Sequence, residues 1–157
     1  MINSTTEPEQ PAVAARQRWL SILARAQDTD LIACLEQAPP LPAFHWLRSP
    51  EVGLIMVQGR IGGSGSAFNL GEMTISRGSI RDVAGRIGHG YTTGRRLKSI
   101  EWIARLDAVL QDTTLAPAYL TTVIEPLAQI QQAQRQTLAG KAAATEVKFF
   151  TLETMRS

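Results

Sequence analysis

The run Gly59-Arg60-Ile61-Gly62-Gly63-Ser64-Gly65 is the densest chemical signal in the chain, and Phe68, Gly71, Thr74, Arg77 and Arg81 follow it. Glycines allow positive φ and expose successive N–H groups, while guanidinium forks bind phosphate or carboxylate oxygens. Arg60, Gly62, Gly63, Gly65, Arg77 and Arg81 are therefore candidates for an anion cradle or a subunit interface. The competing reading is a glycine hairpin that joins two strands and leaves the arginines solvated. No Gly-Lys-Ser/Thr follows the glycines and no Gly-x-Gly-x-x-Gly occurs, so neither the Walker loop nor the dinucleotide fingerprint is present. An autonomous NTPase is disfavoured.

The other reactive side chains form no familiar set, and catalytic residues stay unassigned. His89, in Gly88-His89-Gly90-Tyr91, could move a proton, but no motif ties a Ser, Cys or acid to it. It is expected to be a sheet histidine with a structural partner, and His45, between Phe44 and Trp46, a strand residue near the surface. One cysteine, Cys34, and two isolated histidines supply neither an internal disulfide nor the usual zinc cage, so no metal site is expected. Arg95, Arg96 and Lys98 open a predicted helix, where cations face the positive end of the dipole and cost stability unless an anion is near. Trp19, Trp46 and Trp102 read as packing.

Sixteen Lys and Arg against fourteen Asp and Glu leave a net charge of +2, too little to indicate nucleic acid. With 44% hydrophobic and 19% charged residues, the 157-residue chain suits one folded domain, expected over residues 16–157 behind a flexible segment 1–15. No signal-peptide pattern opens the chain and no run of 18 apolar residues occurs, so a cytoplasmic protein without membrane contact is expected.

The elements that must position these residues follow from periodicity. Trp19, Ile22, Leu23 and Ala26 share a helical face over 12–26, and Leu31, Ile32 and Leu35 one over 30–37, with Cys34 packed as a small hydrophobe before the prolines at 39, 40 and 42. Residues 44–47 and 54–57 read as two strands, the second apolar at both parities and so a central strand covered on both faces. A strand over 72–81, bent by a bulge at Gly78, turns at 82–85 into a strand over 86–93 whose glycine side can accept a close neighbour. Ile103, Leu106 and Leu110 mark a helix over 97–111, and 118–139 a helix interrupted or kinked at Pro126. Val147 to Leu152 is β-prone. The class is α+β: N-terminal helices, an antiparallel β-meander of about four strands, C-terminal helices and a final strand.

Several separated blocks, Arg16-Gln17-x-Trp19-Leu20-Ser21-x-Leu23-Ala24, Glu51-x-Gly53-Leu54, Arg60-x-Gly62-Gly63-x-Gly65, Phe68 to Thr74, Arg77 and the closing Phe149-Phe150-Thr151, together resemble the PhnG family. The similarity runs from Arg16 to Thr151. It implies the G subunit of the carbon–phosphorus lyase core, which assembles with H, I and J subunits and with the nucleotide-binding K and L proteins. In that family the I subunit is regarded as the nucleosidase, displacing adenine from MgATP by an alkylphosphonate. The implied role here is an accessory subunit, inactive alone, holding no cofactor itself, with MgATP as substrate of the complex. After Gly94-Arg95 the family often continues Asp-Lys-x-His-x-Glu, whereas Arg96, Leu97, Ser99 and Glu101 stand at those places here. The rival readings are an active-site contributor whose Arg60, Arg77 or Arg81 clamps triphosphate at a subunit border, and a stand-alone phosphate- or phosphonate-binding module.

Overall fold

A computed structural model describes residues 11–144. Helices α1 (Pro11–Arg25) and α2 (Asp28–Glu36) precede strands β1 (Phe44–Arg60), β2 (Ala67–Asp82) and β3 (Ile87–Thr93). Helices α3 (Leu97–Val109), α4 (Ala116–Tyr119) and α5 (Glu125–Ala144) follow. The strands form one antiparallel sheet in the order β1-β2-β3, so the α+β class expected from the sequence is observed. The expected final strand at 147–152 lies outside the described residues. Among them no helix is long and apolar enough to cross a membrane.

One face of the sheet packs on α3, and its glycines set how close the helix comes. A Cβ on Gly88 would stand 1.9 Å from the Ala104 carbonyl oxygen, and one on Gly90 would stand 2.5 Å from the Ile100 carbonyl oxygen. On β2, a Cβ on Gly78 would meet the Ile100 side chain at 2.7 Å. Helix α3 answers with small residues, and Ala104 and Ala108 bury Ile80 beside Phe44 and Trp46. The glycine side of β3 therefore does accept a close neighbour, as its sequence suggests.

The far side of α3 faces the helical layer. Ile103, Leu106 and Val109 meet Trp19, Leu23, Leu31, Val123, Ile124 and Leu127 in a single cluster, which also buries Cys34. Between the two layers stands Asp107, fully buried. Its carboxylate accepts from Arg16 Nε at 3.1 Å and Nη2 at 2.7 Å, from the Trp19 indole at 2.9 Å and from the His89 backbone N–H at 2.9 Å. One side chain thus ties α1, α3 and β3 together.

Four expectations need correction. The two strands foreseen at 44–47 and 54–57 are one strand, β1, so the meander has three strands. Pro50 does not end β1 because β1 is an edge strand, where a missing N–H breaks no ladder, and Pro50 sits in an irregular stretch between Arg48 and Glu51. For the same reason residues 54–57 are not central: β2 is, and Leu54 is 63% exposed. Nor is there a bulge at Gly78. The register shifts fall at Trp46/Arg48, Arg48/Glu51 and Val57/Gln58, and Gly78 serves helix contact instead.

Pro126 acts as expected, but just upstream. A π turn over Leu120–Ile124 separates α4 from α5, widening the backbone where proline removes an N–H and crowds the preceding turn. Helix α5 then runs on to Ala144, past the expected end at 139.

Substituting Gly88 with Ala should force α3 off the sheet and cost about 2–3 kcal/mol, with a matching fall in urea midpoint. Gly140→Ala, on α5 with open space around it, should instead raise stability by roughly 0.5–1 kcal/mol. Asp107→Ala strands the Trp19 indole and the His89 N–H and should cost about 3 kcal/mol or more.

Candidate functional site

The glycine segment is a self-closed turn at the end of a ribbon. Residues Ile61–Gly63 form one 3-10 turn, with Gly62 at φ 62° and ψ 21°, a left-handed conformation that favours glycine. The Gly65 N–H bonds back to the Ile61 carbonyl at 2.9 Å, and a Cβ there would lie 2.5 Å from that oxygen. Arg60 folds over the turn, its Nη1 donating to the Gly65 carbonyl at 3.3 Å. The loop is therefore a hairpin closure that spends one of its N–H donors internally.

The structure splits the six candidate residues into two places. Arg60, Gly62, Gly63 and Gly65 gather at the tip. Arg77 lies ten residues beyond Ala67 on β2, roughly 30 Å along the strand, and Arg81 farther still. Arg77 donates to Glu51 at 2.8 Å, and Arg81 is exposed on the sheet face opposite α3.

Between these places β1 and β2 run on as a two-stranded ribbon, because β3 ends where Thr93 pairs with Ile75. From Leu54 to Arg60 the ribbon extends roughly 20 Å. Its surface carries large apolar side chains among polar ones: Leu54 and Leu70 are each 63% exposed and Ile61 72%, with Met56 and Phe68 also exposed. Leu70, the extra residue at the Val57/Gln58 register shift, rests over Gly59, where a Cβ would come within 2.7 Å of it. Sequence reasoning missed this arm. The signal was the apolar run 54–57 itself, read as a central strand covered on both faces.

Several of the remaining polar residues have structural partners. His89 Nδ1 and Ser79 Oγ lie 2.9 Å apart, the structural partner expected for that histidine. His45 is exposed on β1, also as expected. Of the three cations opening α3, Arg96 finds an anion: it bonds Asp28 and donates to the Ala26 carbonyl at 2.6 Å and to Thr92 at 3.0 Å. Ser99 Oγ joins the same carboxylate at 2.5 Å. Burial alone would raise the Asp28 pKa, but the bonds from Arg96 and Ser99 and the Arg96 charge outweigh it and hold the carboxyl below its ordinary value. Asp82 is likewise held low, burial being outweighed by Arg86 and the backbone N–H groups of Arg86 and Ala84. Arg86 also reaches Asp112, whose carboxylate is held low by the N–H groups of Thr114 and Leu115 and by Arg86. Among the described residues no cluster of three or more His, Cys, Asp or Glu could hold a metal ion.

The family model for the phosphonate metabolism protein PhnG matches residues 14–156. The chain belongs to the PhnG family. A protein of Rhizobium meliloti strain 1021, alpha-D-ribose 1-methylphosphonate 5-triphosphate synthase subunit PhnG, is 34% identical to it over 152 residues, 97% of each chain. In this PhnG-family chain the segment Arg96 to Ser99 is where α3 is clamped to the α1–α2 junction.

Asp28, Asp82 and Asp112 have folded-state pKa values below the unfolded 3.8, so their contribution is complete above that value and is lost as pH falls through the lower folded values. The urea midpoint should therefore drop between about pH 5 and about pH 2, and Asp28→Asn should flatten that slope.

Proposed function

We propose that this chain is an accessory subunit of a complex that transfers the ribose triphosphate moiety of MgATP to an alkylphosphonate, releasing adenine, in phosphonate catabolism. The observation that carries this reading is the apolar ribbon. A two-stranded hairpin alone in water is marginal, and one that exposes Leu54, Met56, Ile61, Phe68 and Leu70 leaves its apolar surface in solvent. Another polypeptide laid along it removes both costs. The name of the Rhizobium meliloti relative, a synthase subunit, supports the same reading.

In this reading the companions are the H, I and J subunits of the carbon–phosphorus lyase core, with K and L proteins binding nucleotide, and the assembly is cytoplasmic. MgATP is substrate of the complex and not a group held by this chain alone. The tip residues Arg60, Gly62, Gly63 and Gly65 shape the end of the ribbon that enters a companion. Arg77 and Arg81 belong to a second surface. Catalysis rests on a companion subunit.

Co-expression with H, I and J subunits and purification through a tag on this chain should recover the companions together. The double variant L54D/L70D should lose them by roughly tenfold or more while keeping the thermal midpoint of the isolated chain, because both side chains already face water. Recovery of the tagged chain alone, or ATP binding by it unaided in calorimetry, would count against the proposal.

A further inference from the structure

The sheet face turned away from α3 carries an unbalanced set of charges. Gly78, Ile80 and Asp82 are buried on the α3 side, so alternation directs Arg77, Ser79 and Arg81 to the open side. In register, Arg77 lies between Glu51 and Tyr91, and Arg48 lies beside Ser79. Arg81 lies between His45 and Ile87. With strands about 4.8 Å apart and alternate residues about 6.6 Å apart along them, these side chains cover a plate roughly 10 by 13 Å.

Three guanidiniums, those of Arg48, Arg77 and Arg81, share this plate with a single carboxylate, Glu51. Glu51 is engaged twice, by Arg77 at 2.8 Å and by Arg48 at 3.7 Å. The Arg81 side chain makes no hydrogen bond or ion pair among the described residues. The local excess equals the +2 of the whole chain, so positive charge that is balanced elsewhere is concentrated here. Tyr91 and Ile87 add exposed apolar area beside the cations, on β3.

Shape narrows the occupant. Four grooves of the described surface are lined by residues of the helices and of the α2–β1 and α3–α4 connections, whereas this face is an open sheet. A small anion needs a concave site that surrounds it, while arginine and tyrosine spread on a flat face suit a broad protein contact. We propose that this plate docks a carboxylate-rich patch on a companion subunit, an inference that rests on the subunit reading above. Arg81 supplies the free guanidinium, and Arg48 and Arg77 divide their charge between Glu51 and the incoming carboxylates.

The test uses the full tagged chain co-expressed with the H, I and J subunits. Three forms are compared: wild type, R48E/R81E, and R25E/R135E, which changes the same charge on the helices. Companion recovery should fall roughly tenfold in R48E/R81E and stay near wild type in R25E/R135E, and wild-type recovery should weaken as salt is raised. R48Q/R81Q, which removes charge without reversing it, should show an intermediate loss and covers the case in which R48E/R81E fails to fold. Wild-type recovery with equal recovery in R48E/R81E, or equal losses in both double glutamate variants, overturns the plate and leaves the subunit reading standing. A wild-type chain that retains no companion overturns both. Inorganic tripolyphosphate binding at Arg81 with unchanged companion recovery also overturns it.

Discussion

A carboxylate sealed from water is costly unless donors surround it, and Asp107 is surrounded by four. Those donors do not come from its own helix. Arg16 and Trp19 come from α1, about ninety residues earlier in the chain, and the His89 N–H comes from β3. The buried charge is satisfied only when α1, α3 and β3 are all in place, so it links the helical layer to the sheet with a specificity that hydrophobic contact lacks. Gly88 and Gly90 make the arrangement reachable, because a methyl at either position would hold α3 away from β3.

Around that junction further polar ties clasp segments distant in sequence. Arg96 closes α3 and β3 onto the α1–α2 junction through Asp28 and the Ala26 carbonyl. Arg86 joins the β2–β3 turn to the start of the α3–α4 connection through Asp82 and Asp112. Arg105 lies over the rings of Phe44 and Trp102 and donates to the Leu41 and Pro42 carbonyls, fastening the proline segment to α3. Most arginines of the body thus serve the architecture, whereas the side chain of Arg81, like those of Arg95 and Arg135, has no such partner among the described residues.

The body and the ribbon obey different rules. In the body, β3 and β2 bury alternate residues against α3 and the core is closed. Past Thr93 the sheet loses its third strand, α3 no longer covers it, and β1 with β2 continues into solvent carrying leucine, methionine and phenylalanine. A chain that spends its folding energy on a compact body yet keeps such an arm is built to share surface, in keeping with the subunit role assigned to its relative.

Periodicity by itself determined the helices, since α1, α2 and α3 are amphipathic and their apolar stripes start and stop near their caps and prolines. It also determined that β3 has a glycine side fit for close packing, and the glycine loop's own spacing marked a turn. Three things were decided only by tertiary structure. Whether an apolar strand is central or at an edge depends on which neighbours pair with it, so 54–57 looked buried and is exposed. Whether Arg60 and Arg77 share a site depends on the length of the strand between them, which parts them by roughly 30 Å. And Asp107, an ordinary acid within a helical pattern, becomes the hub of the fold because burial and donors from remote segments arise only when the chain has closed.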